Sequence, residues 1–137
     1  MTGSPYGSTS GTNEREGRQL MERLMVFSLP DELERLRGEE QWRSGDRNSR
    51  MLAKDVDFRV LLSVLRAGAA LEEEDGDARV SLQLLEGRAS LQLEGAEAEL
   101  EATEVAVVDA GQRWQLRAAT DCAVLLTLAW PREKAGV

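Results

Sequence analysis

The hydrophobic pattern of the chain changes character near residue 50. Before that point, Leu29, Leu33 and Leu36 recur at i, i+4 and i+7, which predicts a short helix with one apolar stripe. Ser28 starts a capping-box spacing and Gly38 is a typical C-terminal stop. After that point apolar and polar residues alternate, as in strands with one buried face. The chain is therefore expected to place one helix ahead of a β domain.

The alternation is clearest in three segments, Phe58–Leu65, Val80–Leu84 and Ala89–Leu93. Turn candidates recur every eight residues at Gly87, Gly95, Thr103 and Gly111. Short antiparallel strands at such regular spacing favour a small barrel or jelly roll. A β-helix also has turns at regular spacing, but it needs repeated side chains at equivalent positions, and these segments share only their glycines.

Several strands carry apolar residues on both parities. We expect Val60, Leu62 and Val64 to face the core, so that Leu61 and Leu65 lie on the opposite face of the same strand. Leu125 and Ala129 add to this second apolar face. Such a face needs a cover, which either the Leu29–Leu36 helix or a second copy of the chain can supply.

Composition excludes several chemistries. The 137 residues include 25 acidic and 17 basic side chains, no histidine and one cysteine, for a net charge of −8. Without histidine there is no Ser-His-Asp relay and no imidazole-ligated metal. The lone Cys122 excludes a disulfide framework and a CxxC motif, and it is expected to be a buried apolar residue rather than a redox thiol.

The acidic balance opposes nucleic-acid binding, because phosphate contacts need clustered Lys and Arg. The longest apolar stretch, Cys122–Trp130, is too short to span a bilayer, so we expect no membrane partner and a cytoplasmic protein. Composition divides the chain into a disordered tail (residues 1–19), a helix with its lead-in loop (20–49), a β barrel (50–131) and a short C-terminal tail (132–137).

The glycine and hydrophobic framework of residues 50–130 resembles a small single-domain bacterial cupin of the RmlC-like type. Gly68, Gly87 and Gly111 stand where the two cupin motifs place glycine, and the final apolar strand ends at Trp130. The resemblance implies an all-β fold, a cupin-type double-stranded β-helix or jelly-roll barrel with a short N-terminal helix.

The ligand positions of the two motifs carry other residues here. Aligned on the glycines, Glu74 and Gly76 replace two histidines, Val80 replaces the glutamate and Trp114 replaces the last histidine. This set cannot hold a transition metal in the way the resemblance implies. We therefore expect a metal-free protein with no cofactor.

Trp114 has two interpretations. The indole can fill the barrel as packing, with room for it opened by Gly76, or it can form one wall of an apolar ligand pocket. The candidate barrel interior comprises Glu74, Gly76, Val80, Leu82 and Trp114.

The acidic run from Glu72 to Asp77 does not have EF-hand spacing and is best interpreted as a solvated turn. Glu74, if it points into an apolar barrel, would have a raised pKa and could act as a general acid or base. No partner acid, nucleophile or oxyanion donor accompanies it, so we do not expect an enzyme and assign no catalytic residue.

Together these features predict a metal-free cupin that binds a small molecule or has a regulatory role, and that associates as a homodimer. A metal-independent isomerase or lyase using Glu74 is the first alternative. A structural dimerisation module is the second.

Overall fold

A computed structural model describes residues 22–72 and 76–131. Two helices come first, α1 (Leu29–Gly38) and α2 (Glu40–Ser44). Nine strands follow within the described residues: β1 (Arg47–Asp55), β2 (Phe58–Leu65), β3 (Ala70–Glu72), β4 (Arg79–Glu86), β5 (Arg88–Leu93), β6 (Ala96–Glu101), β7 (Val105–Val108), β8 (Trp114–Ala118) and β9 (Cys122–Ala129). The protein is all-β with a short helical lead-in, which confirms the predicted fold class.

The strands form two sheets that face each other as a jelly roll. The first sheet has the order β1-β2-β9-β4-β7 and the second has the order β3-β8-β5-β6. Every pair of strands is antiparallel. The predicted turn positions Gly87, Gly95, Thr103 and Gly111 all have φ between 74° and 89°. A positive φ at each of them is what turns the chain back after every short strand.

The barrel core lies between the sheets. It is built from buried apolar residues of both: Leu65, Ala69, Val80, Leu82, Leu84, Ala89, Leu91, Leu100, Val108, Trp114, Leu116, Ala118, Cys122, Val124 and Leu126. Side chains that point to this core are on the inner face of their strand. Directly paired residues share a face, so the strand register determines which residues are inner.

The face assignment of β2 from the sequence was wrong. Leu65 belongs to the barrel core and Leu61 packs against it, whereas Leu62 and Val64 lie on the outer face. The register agrees, because Leu61 pairs with the buried Leu126. Both parities of this strand are apolar and both faces are covered, so alternation alone could not tell inner from outer.

The outer face of the first sheet has a second apolar cluster, the outer core. Its buried members come from α1, α2 and three strands: Leu33, Leu36, Trp42, Leu52, Leu62, Val64 and Ala123. Helix α1 begins at the predicted cap, where the Ser28 side chain accepts from the Asp31 amide at 3.3 Å. Helix α1 therefore covers the outer face, whereas the face of Leu61 and Leu65, for which the sequence suggested a cover, is the barrel interior.

Polar contacts attach the helices to β1. The buried Asn48 donates from Nδ2 to the Leu36 carbonyl at 3.0 Å and to Glu39 Oε1 at 2.9 Å. Arg50 forms ion pairs with Glu32 and Glu39, both at 3.2 Å. These contacts satisfy the carbonyl at the end of α1 and fix the helix over the sheet.

Helix α2 stands where the sequence predicts a polar loop. Its five residues contain one apolar anchor, Trp42, which gives no helical periodicity to detect. The helix is held by tertiary contacts instead, because the Arg66 guanidinium lies 3.8 Å from the centroid of the Trp42 ring and Nη2 donates to the Trp42 carbonyl. None of the helices in residues 22–72 and 76–131 has the length and hydropathy needed to span a membrane.

Candidate functional site

The candidate site lies at one end of the barrel, where the loops that precede β4 and β8 meet. The Gly111 amide donates to the Gly76 carbonyl at 2.6 Å and joins these two loops. Val80 is the second residue of β4 and Trp114 is the first residue of β8. Both side chains therefore enter the barrel core from this end, which we call the indole end.

Trp114 is the largest side chain there and is 5% exposed. It belongs to the barrel core and pairs with Leu93 of β5. Its indole Nε1 is buried and has no hydrogen-bond partner among the described residues. A buried donor without an acceptor costs about 1–3 kcal/mol. The indole is thus packed among apolar side chains, while its N–H group lacks a hydrogen-bond acceptor.

Val80 and Leu82 lie on the inner face of β4, as alternation predicts. Both are almost completely buried in the barrel core. Val80 pairs with Val108 on one side and with Leu128 on the other. Val80, Leu82 and the partners of Val80 therefore line the indole end with apolar side chains.

Gly76 is buried and has a φ of +73°. A Cβ built there would meet Arg113 Cγ and Gln112 O, each at 3.8 Å, and the indole is not among the atoms within 4 Å. Gly76 therefore does not make room for Trp114 in the way the sequence suggested, and its positive φ is the reason for glycine. Glu74 lies outside the described residues.

The residues at the motif positions do not fit a metal. Gly76 has no side chain, Val80 offers an isopropyl group, and an indole N–H is a donor that cannot ligate a cation. In residues 22–72 and 76–131, no three Cys, Asp or Glu side chains are grouped as metal ligands. Glu72, which starts the acidic run, instead accepts a hydrogen bond from Gln115 Nε2 at 2.8 Å.

The structure adds a cation that sequence reasoning missed. Arg59 pairs with Leu128 in β9, and Leu128 in turn pairs with Val80. Since Leu128 packs against the barrel core, the row Arg59, Leu128, Val80 and Val108 points to the inner face at the indole end. An arginine thus stands on the inner face, in the same row as the candidate residue Val80.

Arg59 has few partners of its own. Its guanidinium lies 4.7 Å from the centroid of the Trp130 ring, a cation–π contact. Its Nε is buried without a hydrogen-bond partner, and no ion pair within the described residues includes Arg59. Lys54, which pairs with Arg59 in β1, likewise has no ion pair there.

Alternation in β2 bears on the position of Arg59, but the predicted faces of this strand were reversed. With Val60, Leu62 and Val64 assigned to the core, Arg59 appeared on the solvent side together with Leu61. Placing Leu61 and Leu65 inside moves Arg59 inside with them, because residues two apart share a face.

No protein-family profile matches the sequence, and no curated protein matches it either. Solved structures do match. A conserved protein of unknown function from Streptococcus pyogenes is similar with a TM-score of 0.64 at 19% identity, over 82% of this chain and 93% of that one.

A cupin superfamily protein from Desulfitobacterium hafniense is similar with a TM-score of 0.63 at 16% identity, over 83% of this chain and 97% of that one. The cupin domain of an XRE family transcriptional regulator from Enterobacter cloacae is similar with a TM-score of 0.56 at 14% identity, over 64% of this chain and 99% of that one. Likeness at such low identity concerns architecture, and with the two-sheet topology above it establishes that this chain has the cupin fold.

Proposed function

We propose that this protein is a binding module that takes up a small molecule at the indole end of its barrel without a metal. The observation that carries the proposal is the Trp114 Nε1 donor, which is buried in an apolar setting without an acceptor. A ligand oxygen placed against it would remove the cost of that unmet donor. Val80, Leu82 and Gly76 would line the same end.

A regulatory role is compatible with this proposal. The similar domain from Enterobacter cloacae is part of a transcriptional regulator, so the fold occurs in that setting. Catalysis by Glu74 is not favoured, because the inward-facing candidate residues Val80, Leu82 and Trp114 supply neither a nucleophile nor a second acid.

The test is a thermal-shift screen of the full chain against small organic molecules that carry acceptor oxygens, as acids, amides and alcohols on the same apolar bodies. We expect at least one compound to raise the unfolding midpoint in a concentration-dependent way. In Trp114→Phe, which keeps an aromatic ring and removes the N–H, that shift should fall by at least half.

Trp114→Ala provides the stability control. We expect it to cost about 3–5 kcal/mol, as for other buried aromatic residues. A Trp114→Phe protein that binds every compound as well as the wild type would overturn the proposal, and so would a screen without any shift. A cost of Trp114→Ala below about 1 kcal/mol would show that the indole is not packed in the core.

A further inference from the structure

The indole end holds two buried donors that have no acceptor, and they come from opposite sheets. Trp114 Nε1 belongs to β8 in the second sheet and Arg59 Nε belongs to β2 in the first sheet. Each buried, unpaired donor is costly, and for a charged group the cost is larger than for a neutral one. Both donors lie at the same end of one barrel.

Arg59 places a positive charge on the inner face at this end. Lys54 lies beside Arg59 in β1, while the loop that precedes β4 at this end is acidic. Most arginines of the described chain form ion pairs with Asp or Glu, for example Arg50 with Glu32 and Arg79 with Asp109. No ion pair links Arg59 to Asp55 in the part of the chain that the structure describes.

Trp130 contacts the Arg59 guanidinium, whose Cζ lies 4.7 Å from the centroid of the ring. A ring contact does not use up the N–H donors of a guanidinium, which remain able to donate hydrogen bonds. Guanidinium edges match carboxylate geometry, and indole N–H groups donate to the same oxygens. The apolar row next to Arg59, formed by Leu128, Val80 and Val108, suits a carbon skeleton.

The geometry points to a small organic acid as the ligand, with its carboxylate held by Arg59 and its remaining acceptor capacity directed to Trp114 Nε1. This inference rests on the proposed binding function and names the chemical class of its ligand. Lys54 adds positive charge at the same end, and Arg59 is the residue that distinguishes an acid from its neutral analogue.

The experiment compares benzoate, phenylacetate and hexanoate with benzamide, phenylacetamide and hexanamide, using calorimetry at low salt with the full chain. We expect at least one acid to bind about tenfold or more tightly than its amide, a difference of about 1.4 kcal/mol. Arg59→Met should remove this preference and leave amide binding within about twofold. The control is Arg88→Met, which removes the same unit of charge from an exposed position on β5 and should bind like the wild type.

Each outcome has one meaning. Acids and amides that bind equally well, or an acid preference that survives in Arg59→Met, would overturn the organic-acid assignment while the binding function stands. A loss of preference in Arg88→Met as large as in Arg59→Met would assign the effect to net charge and would also overturn it. If neither acids nor amides bind, the proposed function itself fails. Circular dichroism and the unfolding midpoint of each variant establish that it is folded.

Discussion

Gly87 shows how a single residue decides the local fold. It connects β4 to β5 with a φ of +89°, and a Cβ there would collide with the Asp121 carbonyl and lie 2.7 Å from the Cys122 Cβ. Thr103 has the same role at another turn with a φ of 74°, and it is the one non-glycine residue with a positive φ in residues 22–72 and 76–131. The backbone amide of Thr103 donates to Leu84 O at 2.6 Å, which compensates for its strained conformation.

Next to that glycine, Cys122 is buried in the barrel core. Burial and the neighbouring Asp121 raise the pKa of its thiol from an ordinary value of 9.0 to about 11. Between these values the unfolded chain releases the thiol proton and the folded chain keeps it. The free energy of unfolding should therefore fall as the pH rises from about 9 to about 11, and this contribution is fully present below pH 9.

We expect urea midpoints to show this effect as a difference between proteins. The wild type should lose more stability between pH 8 and pH 10.5 than Cys122→Ala, since lysines and the tyrosine titrate in both. The thiol should also resist alkylation at pH 8 in the native state, because the reactive species is the thiolate. Equal pH dependence in the two proteins, or rapid native alkylation, would contradict the burial argument.

At this scale, the sequence predicts some site residues well and misses another. The inner position of Val80 and Leu82 follows from alternation, because β4 is strongly apolar on one parity. The inner position of Trp114 was expected from the resemblance to the second cupin motif, through its spacing from Gly111, and not from alternation. Arg59 lies on a strand that is apolar on both parities, so its face depends on which partner strands it meets, and that information is not local.

At the scale of elements, α1 serves as the lid of the outer core. Leu33 and Leu36 pack with Trp42 against Leu62 and Val64 of β2. The predicted leucine stripe of α1 thus packs on the outer face of the first sheet, which the second sheet does not cover. The neighbouring α2 could not be predicted, because its stability comes from contacts with Arg66 rather than from its own pattern.

Leu36→Ala should destabilise the protein by about 2–5 kcal/mol, because Leu36 is fully buried and its removal leaves a cavity between helix and sheet. Denaturant unfolding measures this value. Glu34→Ala, at an exposed position of the same helix, is the matched control and should stay within about 0.5 kcal/mol of the wild type. Similar costs for the two variants would mean that α1 is not a structural part of the fold.

At the scale of the whole molecule, the predicted homodimer needs a new rationale. Leu61 and Leu65, whose face first suggested it, pack in the barrel core, and α1 and α2 pack on the outer face of the first sheet. The apolar surface that remains on the sheets includes Val105 and Val107 on the edge strand β7, which are 56% and 74% exposed. Exposed valines on an edge strand favour association with a second copy.

Light scattering at micromolar concentration tests the predicted dimer. We expect a mass near twice the 15.1 kDa of one chain, and we expect Val107→Glu to shift it towards the monomer without lowering the unfolding midpoint of the isolated chain. Wild-type protein that elutes at the monomer mass would contradict the prediction.

The position of β9 also has a consequence for synthesis on the ribosome. The last strand of the described residues, β9, lies in the middle of the first sheet, between β2 and β4. It follows β2 by about 60 residues, which takes about 3–12 s at typical elongation rates. During that interval β2 has emerged with two apolar faces and without its central partner. Because α1 and β1 precede β2, they can cover its outer face at once, and the helix thus shields the nascent hairpin until the sheet can close.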